Sequence, residues 1–226
     1  MADKMIKLSN IKIPAAEGRG SLKKYAAKSL GVKPDDISEL VILKESVDSR
    51  KKSDVHFVYT VAVTLKKGVR PRVKTETYTM TELPPTMRVS PPDDRPVVVG
   101  MGPAGLFAAL TLAESGVPCT VIERGQPVDV RTEDVSRFWR TGQLDTESNV
   151  QFGEGGAGTF SDGKLTTGTN DRRIGYVFRR FVDFGAPEDI LYASKPHIGT
   201  DKLKNVVKNI RNRLISWDAI FGSAKS

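Results

Sequence analysis

The chain has 226 residues, of which 38% are hydrophobic and 27% charged, and a formal net charge of +8. This composition fits a folded globular chain and excludes a disordered or collagen-like one. No apolar run approaches the roughly 20 residues that span a bilayer, no secretory pattern follows Met1, and the single cysteine, Cys119, excludes an internal disulfide. The expectation is a cytoplasmic protein with no membrane contact.

The positive charge sits in the first part of the chain. Residues 1–95 carry 19 Lys and Arg against 12 Asp and Glu, and residues 96–226 carry 16 against 15. Clusters such as Arg50-Lys51-Lys52 attract anions in principle. No nucleic-acid module accompanies them and aromatics do not interleave, so a solvated basic face is expected and nucleic acid is not.

In chain order, Ile6, Leu8, Ile11 and Ile13 alternate with polar residues, with one slip, and predict a strand over 5–13. Ser21 is placed to cap a helix that runs to Leu30 and stops at Gly31. Strands follow over 40–47, over 56–65 with strict alternation from Phe57 to Leu65, and over 73–80. This is a small α+β unit. Leu83-Pro84-Pro85 and Ser90-Pro91-Pro92-Asp93-Asp94 read as an extended linker. The domains expected are 1–90, α+β with a basic surface, and 91–226, a Rossmann-like dinucleotide-binding domain.

The second part is α/β. Pro96–Val99 reads as a short buried strand, Ala104–Ser115 as a helix, and Cys119–Ile122 as a second buried strand. A polar helix carrying Val135, Phe138 and Trp139 on one face follows. A glycine-rich loop fills 153–163. Ile174, Val177, Phe178, Phe181 and Val182 have helical spacing, ended by Gly185. Thr200 is placed to cap a last helix with Leu203, Val206, Val207, Ile210 and Leu214 on its buried stripe.

Gly100-Met101-Gly102-Pro103-Ala104-Gly105 is a GxGxxG motif between a strand and a helix, the context in which it predicts dinucleotide binding. Gly100 permits the turn, Gly102 lets a pyrophosphate approach the backbone, and Gly105 lets the helix lie close to the sheet. The helix N-terminus then faces the pyrophosphate, and Pro103 costs little in the first turn. Glu123 ends the next strand, where a carboxylate accepts from a ribose hydroxyl. Four glycines in Gly153-Glu154-Gly155-Gly156-Ala157-Gly158 allow close approach by an extended ligand, which favours FAD.

The run Asn149-Val150-Gln151-Phe152 with Gly153 through Leu165 resembles a family of FAD-dependent dehydrogenases, NAD(P)/FAD-dependent oxidoreductases whose members are mostly uncharacterised. Val99 through Ala109, Glu123-Arg124-Gly125, Phe138-Trp139 and the strand Asp54–Tyr59 fit the same family, so the resemblance covers nearly all of 5–216. It implies a flavoprotein oxidoreductase acting on a small-molecule substrate, and it leaves NAD(P)H open as the electron donor. It implies FAD contacts at Gly100, Gly102, Pro103, Ala104, Gly105, Glu123, Arg124, Gly156, Ala157, Gly158, Thr159 and Ser161. Arg131 is a candidate phosphate partner, with an exposed helix residue as the other reading. Lys164 is a candidate for the flavin or an anionic substrate, with an exposed loop lysine as the other reading.

Members of that family are longer, two-domain flavoenzymes in which a later segment closes over the cofactor. Here Trp217–Gly222 leaves the pattern abruptly. Tryptophan has the single codon TGG, and reading one base earlier gives Leu, Met or Val, then Gly, then Cys or Arg, and continues Asp-Ile-Arg. The expectation is a frameshift that leaves an incomplete FAD domain and weak FAD retention. The alternatives are a non-catalytic nucleotide-binding fragment and a basic module that recruits an acidic partner. No catalytic residue and no metal cluster is assigned. His56 and His197 read as structural, and Cys119 lacks the Cys-x-x-Cys partner of a redox disulfide.

Overall fold

The computed structural model describes residues 4–80, 86–171 and 173–223, so the prolines at 84 and 85 lie outside the described residues. The chain divides into two compact units, residues 1–82 with 191–196, and residues 83–190 with 197–226.

The first unit is an antiparallel sheet with one helix. Strands β1 (Lys4–Pro14), β2 (Ile37–Asp48), β3 (His56–Leu65) and β4 (Glu76–Thr79) lie in the order β2-β3-β1-β4. The slip in the β1 alternation is a register shift between Leu8 and Ile11, with Asn10 at φ +59°. The extra residue turns the second half of the strand so that Ile11 and Ile13 still face inward. Helix α1 (Leu22–Leu30) buries Leu22, Ala26, Ala27 and Leu30 in a core shared with Tyr59, Val61 and Val63. Gly31 ends it in the left-handed conformation at φ +69°. Ser21 makes no side-chain cap, because its hydroxyl donates back to the Gly18 carbonyl. The fourth strand is shorter than the sequence suggests. Arg50 is held on Asp48 at 2.7 Å, so part of the basic cluster is neutralised locally.

The second unit carries a parallel sheet of β5 (Val97–Val99), β6 (Thr120–Glu123) and β7 (Ile220–Ser223), in that order. Its helices are α2 (Pro103–Glu114), α3 (Val128–Thr141), α4 (Arg173–Asp183) and α5 (Thr200–Ser216). α5 buries Leu203, Val206, Val207, Ile210 and Leu214, the stripe its 3.6-residue period predicts. Thr200 does not cap it. Gly199 holds the cap position, and the Thr200 hydroxyl donates to the Ser161 carbonyl at 2.6 Å.

One further expectation is corrected. β5 is not buried: Val97 is 56% and Val99 81% exposed, because only the face carrying Val98, Val121 and Phe221 packs into the α2 and α5 core. Trp139 is 65% exposed although Val135, on the same helix, is fully buried. α4 has the expected apolar spacing, yet none of its residues is fully buried. No helix among the described residues is long and apolar enough to cross a membrane.

Candidate FAD-binding site

The site grows from the turn between β5 and α2. Gly100 leaves the strand at φ +89°, a left-handed conformation that favours glycine. Its N–H donates to Ile122 at 2.7 Å, so the turn is fastened to β6. Gly105 lies against the same turn: a Cβ there would sit 1.9 Å from the Gly100 carbonyl oxygen. At Gly102, φ is ordinary and a Cβ would meet nothing within 4 Å. The two glycines therefore have different jobs. Gly105 is needed by the packing, and Gly102 leaves open space over the start of α2, where the first helical N–H groups have no intrahelical acceptor.

Glu123 ends β6 with both carboxylate oxygens engaged. One accepts from the Met101 N–H at 2.6 Å and the other from the Gly125 N–H at 2.8 Å. The carboxylate thus ties the glycine turn to the end of the next strand. Arg124 stacks on Phe152, 4.0 Å from the ring centroid, and approaches Glu147 at 3.5 Å.

The glycine-rich loop is docked on this turn. Gly155 donates to the Met101 carbonyl at 2.8 Å, and a Cβ on Gly156 would lie 3.0 Å from Pro103. A cleft of about 280 Å³ results, lined by Gly100, Gly102, Glu123, Arg124 and Gly156 among the expected contacts, with Val99, Ile122, Gln151, Phe152 and Gly153. Pro103, Ala104, Gly158, Ser161 and Lys164 line a separate, mainly apolar cavity of about 680 Å³ between α2, α4 and α5.

Residues 95–148 match the family model of the FAD binding domain. This supports an FAD-binding domain of the oxidoreductase type. Residues 5–64 match a domain of unknown function, DUF8436. An uncharacterized protein of Clostridium beijerinckii is 46% identical over 215 residues, which covers 92% of this chain and 40% of that protein. The chain thus spans about two fifths of that relative's length.

The remaining expected contacts do not line the cleft. Ala157 is exposed at the start of a short 3-10 turn. Thr159 is fully buried, and its hydroxyl would collide with a Cβ on Gly155 at 2.2 Å. The Lys164 ammonium pairs with Asp162 at 2.6 Å and is largely exposed. Arg131 is neither exposed nor turned to solvent. It is fully buried, and its guanidinium donates to the carbonyls of Asn149, Val150, Gly153, Glu154 and Gly156. Burial pushes its pKa down to about 10, against the pull of the Glu123 and Glu154 carboxylates, so it stays charged at neutral pH. His56 lies at the start of β3, 3.5 Å from Asp54, and His197 is exposed and bridges to Lys164. Cys119 is buried, which raises its thiol pKa.

The pair Glu154 and Arg211 carries no signal in the sequence, because 57 positions separate the two residues. The Glu154 carboxylate accepts from the Val128 N–H at 2.6 Å, at the start of α3, and from Arg211 at 2.5 Å. Arg211 also holds Asp129 at 2.9 Å. The side chain fastens the glycine-rich loop to α3 and α5.

Burial raises the Glu154 carboxyl above its ordinary 4.5, with the Val128 N–H and Arg211 pulling the other way. A carboxyl whose folded pKa is raised binds more protons folded than unfolded. Its contribution is fully present below pH 4.5 and is lost as pH rises through the folded pKa. Glu154→Gln is therefore expected to gain stability relative to wild type between pH 4.5 and neutrality, read from urea midpoints at the two ends. A constant difference across that window rules out this role for the carboxyl.

Proposed function

We propose that the second unit is a Rossmann-like FAD-binding domain and that the chain is the N-terminal part of an FAD-dependent oxidoreductase. The observation that carries this reading is the open turn at Gly102, set beside the β6 carboxylate Glu123 across the 280 Å³ cleft. A pyrophosphate fits where a Cβ would meet nothing, next to the positive end of α2. Glu123 has oxygen lone pairs beyond the two backbone donors it already serves, so it also accepts from a ribose hydroxyl. Arg124 and Gly156, which line the same cleft, are assigned to the cofactor, and Ala157, Gly158, Thr159 and Ser161 to the loop that carries Gly156. Bound FAD supplies the redox chemistry, and the protein supplies position and electrostatics. The substrate is a small molecule, and NAD(P)H is the candidate electron donor.

Flavin fluorescence titration tests the proposal. FAD is expected to bind saturably and ADP to displace it, because the turn and Glu123 hold the ADP half. The purified chain is expected to be nearly colourless, with a dissociation constant of about 1 μM or weaker, because one face of the sheet beside the cleft lacks cover. Absence of saturable FAD binding, or failure of ADP to compete, overturns the FAD reading. Stoichiometric yellow protein overturns the weak retention alone.

A further inference from the structure

We infer that the open face of the β5-β6-β7 sheet is a docking face for polypeptide belonging to the longer protein, the part that lies outside the stretch this chain matches. The face is made by Val97, Val99, Thr120, Ile122 and Ile220, which alternate with the residues pointing into the core. Val97 is 56%, Val99 81% and Ile220 53% exposed. Parallel sheets occur with both faces covered, because their strands are apolar on both sides. α2 and α5 already share the opposite face with Val98, Val121 and Phe221.

The occupant follows from size and chemistry. This chain accounts for 40% of the Clostridium beijerinckii relative, so three fifths of that polypeptide has no counterpart in the matched stretch. The face offers four aliphatic side chains and one threonine with no charge among them, which suits the apolar side of a strand or helix. The FAD cleft takes in the far end of this face, at Val99 and Ile122, beside Gly100 and Glu123. Val97, Thr120 and Ile220 do not line it, so the cofactor does not explain the exposure of Val97 and Ile220. The inference rests on the chain corresponding to part of a longer protein and does not depend on FAD.

Cysteine labelling tests it. Val97→Cys is made in this chain, and cysteine is placed at the aligned position of the full-length relative. Maleimide uptake at that peptide is followed by mass spectrometry, with saturating FAD, without FAD, and over a range of protein concentrations. Labelling is expected to be about tenfold or more slower in the full-length relative, since reactivity follows access. Equal rates overturn the inference. Protection in this chain that grows with its concentration also overturns it, because a second copy is then the occupant. Thr120→Cys, in register beside Val97 on the same face, repeats the measurement should Val97→Cys fail to fold. A chain that binds no FAD yet shows the difference removes the FAD reading and keeps this one.

Discussion

Gly102→Ala is expected to leave the second unit folded and to weaken FAD binding by about tenfold or more, near 1.4 kcal/mol, whereas Gly105→Ala is expected to unfold that unit. The two glycines stand three positions apart in one motif, and the motif assigns one to the ligand and the other to packing. The space around them separates them. A methyl group on Gly102 meets no atom within 4 Å and the backbone there suits any residue. Nothing in the fold resists it, and what it blocks is the approach of a ligand to the backbone. A methyl group on Gly105 would sit 1.9 Å from the Gly100 oxygen and 3.0 Å from the carbon that bears it. Both are main-chain atoms in a turn fastened to β6, so α2 must move off the sheet. Overpacking a core costs about 1–3 kcal/mol when side chains can shift and more when backbone must, so about 3 kcal/mol or more is expected here. Urea unfolding of both variants, with FAD titration on whichever remains folded, decides the matter. A Gly105→Ala variant as stable as wild type sinks the packing argument. A stable Gly102→Ala variant with unchanged FAD affinity sinks the cofactor argument.

What is legible in the sequence is what local geometry dictates. Gly31 stops α1 because a left-handed residue is needed there. The α5 stripe is buried because its period matches the helix, and the slip in β1 is readable as a bulge because period-2 alternation breaks at one place. What stays hidden depends on which neighbour is present. Val97 and Val99 read as buried because an apolar run implies cover, but composition does not say whether the cover is supplied by this stretch of chain. Trp139 shares a helix face with Val135 in sequence and still stands exposed. Ser21 and Thr200 are capping residues by type, and each spends its hydroxyl on a carbonyl instead. The turn and acid of the candidate site are legible because the motif is contiguous. The Glu154 and Arg211 pair is not, because tertiary folding alone brings it together.

Arg131 shows most sharply how a charged residue is misjudged from sequence, and its removal is the second large expected effect. In a polar helix an arginine reads as solvent-facing or as a ligand for phosphate. Here it is the centre of the glycine-rich loop. Five carbonyls between Asn149 and Gly156 converge on its guanidinium at 2.7 to 3.3 Å, and Phe160 lies 4.7 Å from it. Glycine explains why the convergence is possible. Gly153 sits at φ +123°, and a Cβ on it would come 2.5 Å from the Arg131 side chain. The loop therefore wraps a planar cation that offers several donors in one plane. Arg131→Met keeps much of the volume and leaves those buried carbonyls without a donor. Breaking a buried charged network of this kind costs about 3–5 kcal/mol. Arg131→Lys keeps the charge, but a compact ammonium with three donors does not reach carbonyls spread over eight residues. A loss of about 2 kcal/mol is expected for it, within the cost of leaving a buried acceptor or two unpaired. Hydrogen exchange supplies the second readout: residues 149–160 are expected to lose protection in both variants, and FAD affinity to fall with them, because Gly156 and Gly153 line the cleft. If Arg131→Lys matches wild type in stability and in loop protection, the carbonyl network is not what holds the loop, and the residue returns to being a candidate for the phosphate.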